Sequence, residues 1–216
     1  LSSAVRTNEP FFQFTFSVRN TFQNMAICRR LEGKVAIVTA ATRGIGFAIA
    51  ERLCSEGANV VICSRKQENV DDALKYLNSR YESKVEGLVC HVANTENQHA
   101  LVDYTIKKFR RIDILVNNHG INPAFGHILD VGEDVWDKLF QVNVKAGWQL
   151  SKLVHPYMAK NGGGSIIFIS SIAAYKSPPI LLESKICWRP NTVIIYKSYR
   201  TLMGMQYFNT KSWHFI

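Results

Sequence analysis

The first residues of this chain that could do chemistry form a short turn of small side chains, "TAATRGIG", from Thr39 to Gly46. The turn follows the apolar run "KVAIVTA" and opens a helical stretch. Gly44 and Gly46 would let the backbone pass close to a pyrophosphate, and the helix N-terminus offers unpaired N–H groups. The position after a first strand favours nucleotide binding. A plain strand-to-helix turn is the alternative.

A second group of candidate residues ends the next apolar run, where the sequence reads "CSRK". A carboxylate at this point would bind the adenosine ribose hydroxyls and select NAD, but the chain has Ser64, Arg65 and Lys66 instead. Arg43 in the glycine turn points to the same neighbourhood. Because arginine binds phosphate in a bidentate way, we predict NADP(H) as the cofactor. Arg65 and Lys66 could instead simply solvate the start of the next helix.

Alternating strands and helices over residues 33–170 would position these side chains. Five continuous apolar runs separated by amphipathic stretches predict a parallel sheet covered on both faces. Right-handed crossovers make it a Rossmann-like, doubly wound α/β sheet with its ligand at the carboxyl ends of the strands. We expect the sheet to be truncated after the fifth strand and followed by an irregular tail. Within that tail, "NTVIIY" could form a strand.

Helical spacing also places apolar residues on common faces of the predicted helices. In "GIGFAIAERLCSEG" it places Ile45, Ile49 and Leu53 on one face, and Gly57 ends the helix. A long helical region is expected over roughly 133–160. Its apolar side would comprise Trp136, Leu139, Phe140, Val144, Leu150 and Val154.

The glycine turn resembles the T-G-x-x-x-G-[IL]-G motif of the short-chain dehydrogenase/reductase family, with Ala40 in place of the first glycine at a small cost. His91-Val92 stands where the family has D-V beside the adenine, and "NNHG" stands for its N-N-A-G. His119 could be a catalytic base, but the alignment favours a substituted structural alanine. The cofactor contacts that the resemblance implies are Thr39, Ala40, Thr42, Arg43, Gly44, Ile45, Gly46, Ser64, Arg65, Lys66, His91, Val92, Asn118 and Gly120.

The same resemblance implies a reaction centre. Asn143 would hold a water and shape the site, and Ser171 would position the substrate carbonyl. The family's proton-donating Tyr and its Lys, which lowers the Tyr pKa, fall at positions 184 and 188, where this chain has Ser184 and Trp188. A Tyr-x-x-x-Lys pair does occur at Tyr207 and Lys211, in a segment without the family's surroundings.

The resemblance extends over about 31–179 and is most similar to nematode members of the peroxisomal-type carbonyl and retinal reductases. It ends abruptly after Pro179, which suggests a retained intron, a frameshift or a mis-joined gene model. Three hypotheses follow. The chain is an NADPH-dependent oxidoreductase by descent, a catalytically inactive NADP-binding protein, or a truncated product that folds poorly. The expected substrate is a small carbonyl or alcohol.

Composition narrows the remaining classes. The chain has 216 residues with 47% hydrophobic content, and no apolar run long enough to span a membrane. Its five cysteines are scattered, so we predict an intracellular protein without a metal site. The net charge of +9 lies largely in the two ends and accompanies no nucleic-acid motif, so we expect no nucleic-acid partner.

We predict three segments: a leader or disordered tail at 1–24, a domain at 25–179 and a non-family tail at 180–216. The leader could be a mitochondrial presequence or lie upstream of a natural start at Met25. The resemblance implies a peroxisomal or cytoplasmic protein, although the chain ends in "WHFI" rather than a peroxisomal signal. It also implies a homotetramer, but part of that interface falls in the departing segment.

Overall fold

The computed structural model describes residues 29–123, 128–170 and 193–196. Strands and helices alternate along it. The strands are β1 (Val35–Val38), β2 (Asn59–Ser64), β3 (Val85–Val89), β4 (Ile114–Asn117), β5 (Gly164–Phe168) and β6 (Val193–Tyr196). The helices are α1 (Gly44–Ser55), α2 (Gln67–Arg80), α3 (Thr95–Phe109), α4 (Glu133–Phe140) and α5 (Ala146–Lys160), with a 3-10 turn at Ile128–Asp130 and a π-helical turn at Gln141–Lys145.

The strands form one sheet in the order β3-β2-β1-β4-β5-β6. β1 to β5 are mutually parallel, with Val38 opposite Ile62 on one side and Val116 on the other. The predicted doubly wound α/β sheet is therefore confirmed. The expected strand in "NTVIIY" is also present, and it pairs antiparallel with β5. The rest of the segment after Ser170 lies outside the described residues.

Each face of the sheet carries its own core, because successive side chains of a strand point to opposite sides. Ile37 of β1 belongs to the core that α3 and α5 cover, together with Leu101 and Leu150. Its neighbours Ala36 and Val38 belong to the core under α1 and α2. Four residues of β1 are at most 1% exposed, as expected for the centre of a sheet covered on both faces.

The apolar face predicted for α1 is buried only in part. Ile45 is 66% exposed, whereas Gly46, Ala50 and Cys54 are buried against the sheet. Ile49 and Leu53 are partly buried and pack against the core under α1 and α2, and the small residues beside them let the helix lie close to the strands. The most deeply buried face of α1 is thus displaced by one residue from the predicted apolar face, and the two faces overlap.

The helical region at 133–160 is confirmed, with a π-helical turn that separates α4 from α5. Leu139, Leu150 and Val154 are buried as predicted, but Trp136 is 44% exposed. The wider π turn changes the angular spacing between the two helices, so one apolar stripe does not run through both. Within the described residues, no helix is long and apolar enough to cross a membrane.

Carboxylates and cations are matched at the edge of the sheet where the strands begin, which we call the amino edge. Asp113 accepts from Nε and Nη2 of Arg111 at 2.8 and 2.7 Å, from Val35 N at 2.9 Å and from Lys34. Burial alone would raise the pKa of Asp113, but hydrogen bonds from Arg111 and Val35 N bring it below its ordinary value.

A second carboxylate at the amino edge is matched in the same way. Glu56 accepts from Arg30 Nη2 at 2.6 Å and from Arg52 Nη2 at 2.5 Å. The hydrogen bond from Arg30 contributes most to lowering the pKa of Glu56 to about 2, and Arg52 adds to it. Every cation named at this edge therefore has a carboxylate partner.

Candidate cofactor site

A cleft of about 210 Å³ opens at the opposite, carboxyl edge of the sheet, beyond the ends of β1, β2, β3 and β4. This is where a doubly wound sheet binds its ligand. Eight of the predicted cofactor residues line it: Ala40, Thr42, Arg43, Ser64, Arg65, His91, Val92 and Gly120. Cys90, His119, Ile121, Lys138 and Val142 line it as well.

The glycine turn forms the floor of the cleft, and its backbone explains its composition. Ala40 has a φ of 51° and Gly44 a φ of 59°, so both occupy the left-handed region. Alanine is strained in this region. The cost of having Ala40 where the family has glycine is therefore backbone strain, not crowding by the methyl group. Gly46 has no such φ, but a Cβ on it would lie 2.6 Å from Ala40 O. Only glycine fits at position 46.

Thr39 and Asn118 support this turn from below and do not line the cleft. Thr39 is fully buried, and its Oγ1 accepts from Asn118 N at 3.0 Å. The Asn118 Nδ2 donates in return to Thr39 O at 3.1 Å and Ala40 O at 3.0 Å. These bonds join the end of β4 to the end of β1, so the two residues shape the turn that the ligand would meet.

The remaining predicted cofactor residues, Gly44, Ile45, Gly46 and Lys66, do not line the cleft either. Gly46 is buried under the turn, whereas Gly44, Ile45 and Lys66 are exposed. Lys66 stands at the N-cap position of α2, next to Arg65.

His119 is 5% exposed, and its Nδ1 lies 2.8 Å from Thr39 Oγ1. This contact fits the structural interpretation of His119, and the ring also lines the cleft. The ring occupies the space beside the buried threonine and helps to hold the loop after β4.

The loop after β3 is fixed by local hydrogen bonds. His91 N donates to Asn97 Oδ1 at 2.9 Å, and His91 Nδ1 accepts from Ala93 N at 3.2 Å. Since Nδ1 is an acceptor, a neutral His91 ring carries its proton on Nε2. Asn94 caps α3 by accepting from Asn97 N at 2.8 Å. His91 and Val92 are therefore held in place at the wall of the cleft.

The charged side chains that line the cleft are Arg43, Arg65 and Lys138, and no carboxylate is among the described lining residues. Arg43 Nη2 donates to the neutral Asn69 Oδ1 at 2.8 Å, and this contact cancels none of its charge. A cleft with charge of one sign focuses its field and attracts a ligand of the opposite sign. The arrangement suits an anionic ligand.

Sequence reasoning missed Lys138, Asn69 and Val142 as parts of this site. Lys138 and Val142 are four residues apart on one face of the helical region, just before Asn143, and that spacing could have revealed them. Asn69 stands three residues after Lys66 in the first turn of α2. Asn69 belongs to the site only because the fold brings Arg43 of the glycine turn next to it, and the residues around Asn69 in the sequence do not indicate this contact.

Asn143 lies in the π-helical turn and is 5% exposed. Its Oδ1 accepts from Ile121 N at 2.7 Å, and its Nδ2 donates to Ile121 O at 2.8 Å. It thereby fixes the loop after β4 beside the cleft, and π turns of this kind are frequent at functional sites. Ser171, the other predicted catalytic residue, lies outside the described residues, as do Ser184, Trp188, Tyr207 and Lys211.

Two buried thiols lie between the cleft and the core. A hydrogen bond from Cys63 lowers the pKa of the Cys90 thiol, although burial opposes this. The same hydrogen bond raises the pKa of Cys63, and burial raises it further.

In the described part of the chain, no cluster of three or more metal-binding side chains occurs.

Residues 34–182 match the sequence profile of the family described as short chain dehydrogenase. The chain belongs to the short-chain dehydrogenase/reductase family. Dehydrogenase/reductase SDR family member 4 of Caenorhabditis elegans is 67% identical over 152 residues, which cover 70% of this chain and 58% of that protein. The protein of that name from Bos taurus is 52% identical over 165 residues, which cover 76% of this chain and 59% of that protein. The predicted nematode-like resemblance is confirmed.

A solved structure shares the fold. A 7 alpha-hydroxysteroid dehydrogenase, complexed with NADH and 7-oxo glycochenodeoxycholic acid, is 32% identical with a TM-score of 0.66. The match covers 72% of this chain and 59% of that one. This chain therefore spans just under three fifths of the length of the curated relatives that it matches.

Proposed function

We propose that this chain binds NADP(H) in the cleft at the carboxyl edge, as an oxidoreductase of the short-chain dehydrogenase/reductase family. The observation that carries the proposal is the lining of the cleft. Side chains from the glycine turn, β2, the loop after β3 and α4 converge there, and every charged one among the described residues is a cation.

The residues present fit a dinucleotide in three respects. Gly46 lets the turn pack closely beneath the cleft, because a Cβ on it would clash with Ala40 O, and the turn leads into the N-terminus of α1, which favours a pyrophosphate. His91 and Val92 form a fixed wall for the adenine. Arg43 and Arg65 line the cleft beside the end of β2, where the resemblance puts the adenosine ribose, and their guanidinium groups suit a 2′-phosphate.

The reaction that we propose by family resemblance is reduction of a small carbonyl compound, retinal among the expected substrates. The cofactor supplies the hydride when bound. Asn143 holds the loop after β4 at the cleft wall, and Ser171 would orient the substrate carbonyl. Proton donation is the unfilled step, because Ser184 and Trp188 occupy the positions of the family's Tyr and Lys.

This vacancy supports a second candidate, a protein that binds NADP(H) without turning over a carbonyl substrate. Loss of a positioned general acid alone lowers a rate by about 10²–10⁴. Neither Ser184 nor Trp188 can act as the cation-assisted phenol that the chemistry needs near neutral pH.

Two measurements on the full chain test these proposals. Saturating NADPH should raise the midpoint of thermal unfolding, because a ligand that binds the folded state stabilises it. An absence of any shift would refute the cofactor site. NADPH oxidation with a dicarbonyl substrate then separates the candidates. Turnover at the rate of a complete relative supports the reductase, and binding without turnover supports the second candidate.

A further inference from the structure

One hydrogen bond at the cleft joins two elements that are far apart in the sequence. Arg43, the N-cap residue of α1, donates from Nη2 to Oδ1 of Asn69 at 2.8 Å. Asn69 is the third residue of α2 and is half-buried, whereas Arg43 is exposed. The contact therefore spans the carboxyl end of β2, between the glycine turn and the next helix.

The two arginines of the cleft differ in this respect. Arg65 forms no side-chain hydrogen bond or ion pair with the described residues, so its rotamers are unrestricted by polar contacts. Arg43 is held by one of its five N–H donors and keeps the others available. Ordering a long side chain before the ligand arrives removes part of the entropy cost of binding.

The chemistry of the partner also matters. An asparagine oxygen accepts the hydrogen bond without bringing a negative charge. A carboxylate at position 69 would hold the guanidinium equally well, but it would offset the charge of Arg43 and repel a phosphate nearby. The amide is thus the side chain that fixes the geometry and preserves the positive potential.

We propose that Asn69 is a positioning residue that orients Arg43 toward the 2′-phosphate of NADP(H) and so strengthens the preference for NADP(H) over NAD(H). This inference rests on the proposed function. It concerns the 2′-phosphate alone, so a change at Asn69 should alter the affinity for NADPH and leave that for NADH nearly unchanged.

Three substitutions at Asn69 give different expectations. Asn69→Ala should weaken NADPH binding about fivefold to tenfold, because a hydrogen bond to a charged group is lost. Asn69→Asp should weaken it at least as much, although Asp is isosteric, because the carboxylate faces the phosphate. A merely structural role of Asn69 predicts instead that the isosteric Asp is the milder change. Asn69→Ser replaces Asn69→Ala in the test if the alanine variant does not fold. Its side chain is too short to reach the guanidinium, so it should weaken NADPH binding by the same factor.

The test measures the dissociation constants of NADPH and NADH for the full chain and these variants, combined with Arg43→Met. If Asn69 acts through Arg43, Asn69→Ala has no further effect on NADPH binding once Arg43 is replaced. Gln67→Ala is the matched control, because Gln67 lies in the same helical turn but bonds to Asp71. It should leave both constants unchanged.

The outcomes separate the two proposals. If the unmodified chain does not prefer NADPH, the proposed 2′-phosphate site fails. If it prefers NADPH but Asn69→Ala behaves like Gln67→Ala, or still weakens binding after Arg43→Met, the role of Asn69 is refuted and the cofactor site stands. An equal loss for NADPH and NADH would also refute it.

Discussion

The cations at the two edges of the sheet differ in whether they have a carboxylate partner. At the amino edge, Arg111 and Lys34 pair with Asp113, and Arg30 and Arg52 pair with Glu56. At the carboxyl edge, Arg43, Arg65 and Lys138 line the cleft, and none has a carboxylate partner within 4 Å among the described residues.

This difference distinguishes cations that stabilise the fold from cations that are available to a ligand. A paired arginine contributes to the folded state and adds little to the external field. Unpaired cations around a concave surface raise the local potential and draw in anions. The position of the carboxylates, rather than the number of arginines, thus distinguishes the edge at which we propose that the cofactor binds.

The largest expected effect comes from removing the unpaired cations. Replacing Arg43 and Arg65 together by Met should weaken NADPH binding about 100-fold, because two charge-assisted contacts to the 2′-phosphate are lost. NADH binding should change by less than about threefold, since that cofactor lacks the phosphate. Fluorescence titration of the bound nicotinamide measures both constants.

Arg52→Met is the control for this prediction, because Arg52 is paired with Glu56 at the amino edge. It should leave both cofactor constants unchanged. Equal losses of NADPH and NADH affinity in the double variant would contradict the assignment of the arginines to the 2′-phosphate.

At the amino edge, Asp113→Asn should affect stability and not cofactor preference. The substitution replaces one carboxylate oxygen of a buried side chain, so Arg111 or Val35 N loses its acceptor. We expect the free energy of unfolding to fall by about 2 kcal/mol near neutral pH. Urea unfolding monitored by circular dichroism measures the loss. The ratio of the NADPH and NADH dissociation constants should stay that of the unmodified chain.

The pH dependence of this variant follows from the sign of the shift. Because the folded-state pKa of Asp113 lies below its ordinary value of 3.8, its contribution is present above that value and is lost as pH falls through the folded pKa. The stability difference between the unmodified chain and Asp113→Asn should therefore shrink below about pH 4. A difference that stays constant down to the acid limit would show that the charge of Asp113 contributes nothing.

The smallest expected effect concerns the strained turn. Ala40→Gly should stabilise the chain by about 0.5 kcal/mol, because relief of the left-handed φ outweighs the added entropy of an unfolded glycine. Ala41→Gly, at a buried position without a positive φ, should destabilise it instead. Equal destabilisation by both changes, measured by urea unfolding, would remove the argument for strain at Ala40.

The sequence predicts the fold well because the parallel sheet depends on continuous apolar runs, which are visible residue by residue. It predicts the buried face of α1 in part. Ile49 and Leu53 pack against the core, but Ile45 is exposed, and the buried Gly46 and Ala50 carry little hydrophobic signal. The π turn at 141–145 is missed for a related reason, since one extra residue per turn leaves no mark in composition.

The site is predicted in part. Arg65 and His91 are recognisable because they closely follow β2 and β3, Arg43 because it lies in the glycine turn after β1, and the ends of these strands meet at one edge. Asn69 and Lys138 lie within helices, and Asn69 is joined to the site only through its contact with Arg43, which depends on the packing of α2 beside the glycine turn. Thr39 and Asn118 are found by resemblance, but the structure places them beneath the turn, where they support it.

The most direct test of the central claim compares adenosine 2′,5′-bisphosphate with adenosine 5′-monophosphate in isothermal titrations of the full chain. The two ligands differ only in the 2′-phosphate, and neither needs the reaction centre around Ser171. We predict that the bisphosphate binds about 100-fold more tightly at low salt and that the difference shrinks as salt is added. Equal affinities would contradict the claim that Arg43 and Arg65 form a 2′-phosphate site.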